Sequence, residues 1–366
     1  MIEVIVNRPS FEYDIHSLVK SFFPREDVQI HVQDTFTEDT ALRISVEFTD
    51  ETVSICLMEQ GEEKESGASV INYAERKETK NRLKRQLYQL LCAYTGQTLP
   101  WGTLTGIRPA KIAMGLIEQG MSNVETAEYM RNTYLASKEK VALSVMIANR
   151  ERYVLRNIDY KDGYSLYVGI PFCPSICLYC SFSSYPLERW RKQVDQYLDA
   201  LCKELDYVAD RFRDKKLNTV YIGGGTPTTL EPYQLDRLLT RIQSKFDTEH
   251  LQEFTVEAGR PDSITREKLQ VLLDHGIDRI SINPQTMNQK TLEIIGRRHT
   301  VDQVKEAFTL ARSMGFAHIN MDLIVGLPGE SYDEVEHTMK ELEAMAPDSV
   351  TVHSLAIKRA ARLSLF

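Results

Sequence analysis

The sequence predicts an α/β protein: a parallel sheet over residues 164–366, preceded by a smaller α+β domain over residues 1–98 and a helical linker region over 99–163. Two observations predict the larger part. Six short β-rich runs at 165–170, 219–222, 253–257, 279–283, 320–325 and 349–354 alternate with helical stretches near 193–211, 232–246, 264–275, 301–314 and 332–345. Small residues such as Gly276 and Gly315 punctuate the helix-to-strand turns, as helix C-caps do. The spacing alone leaves open whether the sheet curves towards a barrel or is doubly wound. Composition agrees with a folded chain: 366 residues with 42% hydrophobic and 26% charged side chains exclude disorder.

The first domain rests on short alternating runs at 1–7, 28–32, 41–48 and 52–58, which read as a small antiparallel sheet. From about Tyr73 the period turns helical. Leu83, Leu87, Leu90 and Leu91 mark one face, while Arg76, Lys77, Lys80, Arg82, Lys84 and Arg85 read as a solvated face or a contact for an anionic partner. Residues 99–109 are rich in breakers and read as a loop, helices resume over 110–155, and 159–163 reads as a boundary turn. A net charge of -8 argues against a generic nucleic-acid binder. No apolar run reaches the ~20 residues that span a bilayer, and residues 1–7 lack a signal peptide's layout, so a cytoplasmic location is expected.

The chemistry concentrates in cysteine. Cys56, Cys92 and Cys202 stand alone and read as packing residues, whereas Cys173, Cys177 and Cys180 form a C-x3-C-x2-C array directly after the first strand of the alternating region. Soft thiolates select zinc, copper(I) or iron–sulfur clusters. A closed zinc site wants four ligands. The histidines nearest in sequence are His31 and His250, so a fourth zinc ligand would have to come from elsewhere in the fold. Three thiolates would instead leave one iron of a [4Fe-4S] cube open to a small ligand. A cluster, a zinc site and a chance grouping of buried cysteines are the three readings, in that order.

Further candidates sit near the C-terminal ends of successive strands, the edge where parallel β/α folds bind ligands. Gly223-Gly224-Gly225-Thr226 follows the second strand, without the spacing of a P-loop or dinucleotide fingerprint. A simple tight turn is the alternative. Glu257 closes the third strand, Gln285 lies beyond the fourth, Arg297 follows, and Asp322 sits within the fifth. Singly, each reads as a cap or surface residue.

The array with its flank, Tyr167-Val-Gly-Ile-Pro-Phe-Cys173, resembles the radical S-adenosylmethionine (SAM) superfamily and, within it, the oxygen-independent coproporphyrinogen III oxidase family. The N-terminal extension and the Thr-Gly-Ile-Arg-Pro stretch at 105–109 most resemble HemZ-type members. The resemblance covers about residues 99–366 well and the first ~98 loosely. It implies a partial (β/α)6 barrel of the radical SAM type, with Cys173, Cys177 and Cys180 holding a [4Fe-4S] cluster whose open iron binds SAM. Reductive cleavage of SAM would yield a 5'-deoxyadenosyl radical that takes a hydrogen atom from substrate. The match places Tyr179 near the adenine and Gly224, Gly225 and Thr226 beside the methionine end. It assigns Tyr167, Glu257, Gln285, Arg297 and Asp322 to the SAM neighbourhood, and the run at 322–328 also fits.

The implied reaction is oxidative decarboxylation of two propionates of coproporphyrinogen III to vinyl groups, giving protoporphyrinogen IX, with flavodoxin or ferredoxin as electron donor. The absence of a Ser/His/Asp or Cys/His constellation suits it, since abstraction of a hydrogen atom needs no general base. Arg298 and the run Lys358, Arg359 and Arg362 are candidate clamps for substrate carboxylates. Two departures qualify the match. Phe182 stands where the oxidase branch carries a fourth cysteine and the heme-chaperone branch carries Phe. Family members also continue into a further helical domain, so a truncated product is the expected reading of the ending. The alternatives are therefore a heme-binding or heme-transfer chaperone that retains the cluster and a radical SAM methyltransferase that opens heme.

Overall fold

The computed structural model describes residues 1–32, 42–106, 108–159 and 162–365. Ala41, Ile107, Tyr160 and Lys161, assigned above to a strand, a loop and a turn, lie outside the described residues. The chain divides into two compact units, residues 1–157 and 158–366.

In the first unit the strands β1 (Ile2–Val6), β2 (Val28–Val32), β3 (Leu42–Phe48), β4 (Thr52–Glu59) and β5 (Glu62–Val70) form one sheet in the order β2-β1-β3-β4-β5. The sheet is mixed, not antiparallel as expected, because β1 runs parallel to both β2 and β3. The cause is helix α1 (Glu12–Phe22), which carries the chain back between β1 and β2 as a crossover. Its buried Ile15, Leu18, Val19 and Phe22 follow helical spacing. Strand β5 was missed because its composition, Glu-Glu-Lys-Glu-Ser-Gly-Ala-Ser-Val, carries no apolar alternation. It forms through a hairpin in which Gln60 and Gly61 take φ of 53° and 83°, the positive values that suit strand twist.

Helix α2 (Arg76–Thr95) buries Leu83, Leu87, Leu90 and Leu91 as its period predicts and ends on Gly96 in the left-handed region. Lys84 departs from the expected solvated face. It is buried, donates from Nζ to Thr105 Oγ1 at 3.0 Å and lies 3.9 Å from Asp14, so its stem packs while its charge stays partnered. Helices α3 (Ala110–Glu118), α4 (Asn123–Tyr134) and α5 (Lys138–Leu155) pack around Ala113, Met130, Val141 and Ala148.

The second unit holds the strands β6 (Gly163–Ile170), β7 (Phe172–Cys173), β8 (Tyr185–Pro186), β9 (Lys216–Gly224), β10 (Glu253–Glu257), β11 (Arg279–Ser281), β12 (His318–Val325) and β13 (Ser349–Ser354). Six of them pair in parallel in the order β13-β12-β11-β10-β9-β6. The order follows the chain with no reversal. A doubly wound sheet would reverse at a switch point, so the arrangement is the singly wound, open (β/α)6 of a partial barrel. The connecting helices are α6 (Leu187–Trp190), α7 (Val194–Arg211), α8 (Pro232–Lys245), α9 (Arg266–Asp274), α10 (Gln289–Ile294), α11 (Val301–Ser313) and α12 (Tyr332–Met345). β11 stops short of the expected Asn283 because the chain turns there.

The two-residue period of the strands builds the site. Val168, Ile170, Val220, Ile222, Val256, Ile280, Met321 and Leu323 form the main core with the helices, each burial stabilising by roughly 1.5–3 kcal/mol. The alternate residues Tyr167, Tyr221, Glu257, Ser281, Asn320 and Asp322 are polar and leave a hydrophilic opposite face. Cys202 is buried on α7, while Cys56 and Cys92 are half-buried in the first unit. Among the described residues no helix is long and apolar enough to cross a membrane.

Candidate functional site

Residues 173–184 form a loop pinned at its neck and at its middle. At the neck β7 pairs with β8, and Tyr185 N–H donates to Pro171 O at 2.8 Å. In the middle Leu178 N–H donates to Ile295 O at 2.9 Å, and Cys180 N–H turns back to Cys177 O at 3.2 Å. The glycine turn after β9 lies directly against this loop. Gly225 N–H donates to Ile170 O at 2.7 Å, and Thr226 Oγ1 donates to Cys173 Sγ at 3.6 Å. Gly224 takes φ of 107°, which favours glycine. At Gly225 a Cβ would fall 2.7 Å from Phe172 O and 2.9 Å from Ile170 O. The apposition of turn and loop therefore requires hydrogen at both positions.

A cavity of about 270 Å³ opens between these elements. Cys173, Cys177, Cys180 and Tyr179 line it from the loop, and Gly224, Gly225 and Thr226 from the turn. Glu257, Gln285 and Asp322 complete it from β10, the turn after β11, and β12. Ten of the twelve candidate residues thus surround one space. The other two lie apart from its lining. Arg297 is buried and donates to Asn283 O at 2.5 Å, Gly259 O at 3.4 Å and Tyr179 Oη at 3.3 Å, so it ties the two strand-end turns to the aromatic ring of the loop. Tyr167 is exposed and stacks on Tyr221 with ring centroids 5.9 Å apart.

Three participants were not legible in sequence. Asn283 donates to Glu257 Oε1 at 2.9 Å, and His353 reaches the cavity from β13. Arg260 is 3% exposed, pairs with Asp262 at 2.9 Å and donates to Ser175 O and Oγ at 3.1 and 3.2 Å. Its Nη1 lies 4.0 Å from Cys177 Sγ, placing a fixed positive charge beside a thiol. The only sequence signal was its position three residues beyond Glu257. Arg298 and Arg362, read as carboxylate clamps, do not line this cavity.

The electrostatics favour a cationic, hydrogen-bonding guest. Burial, then repulsion from Asp322, pushes the Glu257 carboxyl up from 4.5 to about 7, against the opposing help of Arg297, Tyr221 and Asn283. Burial also pushes the Cys173 thiol up, the Thr226 hydrogen bond opposing it. A ligand cation between Glu257 and Asp322 would relieve their repulsion. Gln285 supplies a second vacancy: its Oε1 is buried without a partner. Its backbone holds φ at 69°, with N–H donating to Asp322 O and O accepting from Ile324 N–H, both at 3.0 Å. Such local strain concentrates at binding sites. These acceptors therefore fit a cationic, hydrogen-bond-donating group held near three thiols.

Two outcomes follow. Gln285→Ala should weaken SAM binding about tenfold, as loss of one hydrogen bond to a charged ligand does, while the cluster's visible spectrum stays unchanged; equilibrium dialysis checks it. The second concerns pH. Because the folded Glu257 holds its proton above the unfolded value, its contribution is most favourable below about 4.5 and is lost as pH rises to about 7. Glu257→Gln should therefore raise the thermal midpoint of the cofactor-free chain above pH 7 and bring it level with wild type near pH 4.5.

The family model of the radical SAM superfamily matches residues 167–342, the span that supplies every cavity residue except His353. Residues 167–342 form a radical SAM domain. Its cofactors are those of the superfamily, a [4Fe-4S] cluster and SAM. It is 42% identical over 292 residues, 79% of this chain and 58% of the other, to the oxygen-independent coproporphyrinogen-III oxidase-like protein HemZ of Bacillus subtilis (strain 168). It is also 38% identical over 195 residues, 53% of this chain and 51% of the other, to the heme chaperone HemW of the same organism. The solved coproporphyrinogen III oxidase HemN of Escherichia coli aligns with a TM-score of 0.49 and 29% identity, covering 58% of this chain and 51% of that one. The chain thus spans a little over half the length of these curated relatives, which include both an oxidase-like protein and a chaperone.

Proposed function

We propose that this radical SAM chain acts in the cytoplasm on a porphyrinogen, and that its reaction is the oxygen-independent oxidative decarboxylation of coproporphyrinogen III. The observation that carries the reading is the single cavity in which three thiols face a glycine turn, the carboxylates of Glu257 and Asp322 and the unpartnered Oε1 of Gln285. Cys173, Cys177 and Cys180 would hold the cluster. Gly224, Gly225 and Thr226 would present backbone to the methionine end of SAM, while Glu257, Gln285 and Asp322 take its charged groups and Tyr179 packs near the adenine. When bound and reduced by a donor such as flavodoxin or ferredoxin, these cofactors supply the 5'-deoxyadenosyl radical. The residues then have three tasks. Arg297 and Asn283 hold the strand-end turns in place, Arg260 fixes the cysteine loop, and Ile176 and Phe182 give the cavity an apolar border. Each propionate would give one hydrogen atom to the 5'-deoxyadenosyl radical, then release carbon dioxide and pass one electron to an external one-electron acceptor, to become vinyl. Lys358 and Arg359, which like Arg298 and Arg362 do not line the cavity, would clamp its carboxylates from outside that space.

A second reading, heme transfer, is favoured by Phe182 in the place of the oxidase branch's fourth cysteine and by the likeness to HemW. An anaerobic assay separates the two. The chain within its full-length protein, with reconstituted cluster, is given SAM, reductant and coproporphyrinogen III. Protoporphyrinogen with release of 5'-deoxyadenosine is the expected result. Stoichiometric heme binding without substrate-linked SAM cleavage would overturn it in favour of the chaperone, and methyl transfer to heme would establish the third alternative.

A further inference from the structure

Ser175 and Ile176 line two cavities at once. One is the thiol cavity. The other is an open groove of about 940 Å³ bordered by Pro174, Ser175 and Ile176 of the same loop. Arg189 on α6, Arg298 and Arg362 border it, and Arg297 reaches it from the core. Glu188 and Glu293 also border it, so the arginines are in the majority on a chain whose net charge is -8. All three of Arg189, Arg298 and Arg362 are exposed, and among the described residues none has an ion-pair or hydrogen-bond partner for its side chain.

We infer that this groove is the docking site of an acidic one-electron carrier protein, a low-potential flavin or iron–sulfur protein, which reduces the cluster across residues 174–176. The inference rests on the cluster assignment proposed above. Position argues for a carrier: Pro174, Ser175 and Ile176, which border the groove, lie in the chain between Cys173 and Cys177, so a molecule seated there rests against the loop that carries the thiols. That backbone is held firmly. Ser175 Oγ donates to Gly296 O at 3.0 Å, Leu178 N–H to Ile295 O at 2.9 Å, and Leu363 N–H to Leu178 O at 2.9 Å. Electronic coupling falls steeply with distance, so a thin, fixed wall is where transfer is fastest. Chemistry argues for a protein with an acidic face: unpaired guanidinium groups around an open groove suit a steered, short-lived encounter, and electron-transfer complexes are of that small, charged kind. One electron leaves the carrier and one enters the cluster, with no bond made or broken.

The test uses the cluster-loaded chain with an acidic flavodoxin as probe and has two readouts. Binding is measured by anaerobic calorimetry at low and high salt, and SAM cleavage is driven either by flavodoxin hydroquinone or by dithionite, a small reductant that needs no docking. Arg189→Glu/Arg298→Glu and Arg362→Glu should each weaken flavodoxin binding and slow flavodoxin-driven cleavage on the order of tenfold, with the salt dependence flattened and the dithionite-driven rate unchanged. Arg213→Glu, in the exposed turn after α7, should change neither. Equal loss with both reductants, or unaltered flavodoxin binding in the groove variants, would overturn the docking site. Failure of the wild type to cleave SAM with dithionite, while flavodoxin still binds in a groove-dependent manner, would instead overturn the activity reading and leave the surface standing.

Discussion

Cys177→Ala is expected to abolish the cluster while leaving the fold intact. Cys177 is buried in the loop between β7 and β8, its sulfur facing the cavity and 4.0 Å from Arg260 Nη1. With three cysteines in the array, two remaining thiolates cannot hold three irons. Visible absorption and iron content after anaerobic reconstitution should drop to background, and SAM cleavage should fall by more than the ~100-fold typical of outer-shell changes at a metal site. Loss of one small buried group costs about 1 kcal/mol, so the thermal midpoint should move little. Cys202→Ala is the control: that thiol is equally buried on α7 but belongs to the packing of helix on sheet, and its loss should spare the cluster. A Cys177→Ala chain with a normal cluster and normal SAM cleavage would sink the assignment.

Gly225→Ala is expected to have the opposite profile, damaging the fold at the site itself. The added methyl would meet Phe172 O, Ile170 O and Pro171 C, all within 3 Å and all backbone, so no side chain can swing aside. Either the turn after β9 or the start of the cysteine loop must move, breaking the 2.7 Å bond from Gly225 N–H to Ile170 O. Overpacking of this kind costs up to about 3 kcal/mol, which lowers the midpoint of a unit this size by roughly 6–12 °C. Differential scanning calorimetry reads the first effect. SAM affinity reads the second, because the same displacement pulls Gly224 and Thr226 from the thiols. A variant with unchanged midpoint and unchanged SAM affinity would show that the close approach is dispensable.

What could be read from sequence was governed by local periodicity and by chemistry that tolerates little variation. The alternation of strands and helices from Gly163 onward carried the parallel sheet, since apolar side chains such as Val168, Val220 and Ile280 must recur every second residue to meet the helices. The spacing of Cys173, Cys177 and Cys180 carried the metal chemistry, because three thiols within eight residues have few other uses. Failures arose where the signal is not local. The sheet of the first unit was read as antiparallel because strand direction depends on where α1 returns the chain, and β5 was passed over because its partner, not its composition, makes it a strand.

The tertiary structure alone decided which polar residues share a space. Arg260 lies in a stretch with no motif, yet folding sets its guanidinium against Ser175, a residue 85 positions earlier. Arg298 and Arg362 looked like substrate clamps by charge, but they border the groove beside the loop, because the direction in which a side chain leaves its turn is set by the packing beneath it. The sequence by itself determined the thiol array and the alternation of strands with helices, both of which are short-range matters of spacing and period. The assembly of the cavity, the raised proton affinity of Glu257 and the contact of one cysteine loop with both cavity and groove are long-range matters. They came into being only when the ends of β6, β9, β10, β11 and β12 were brought side by side.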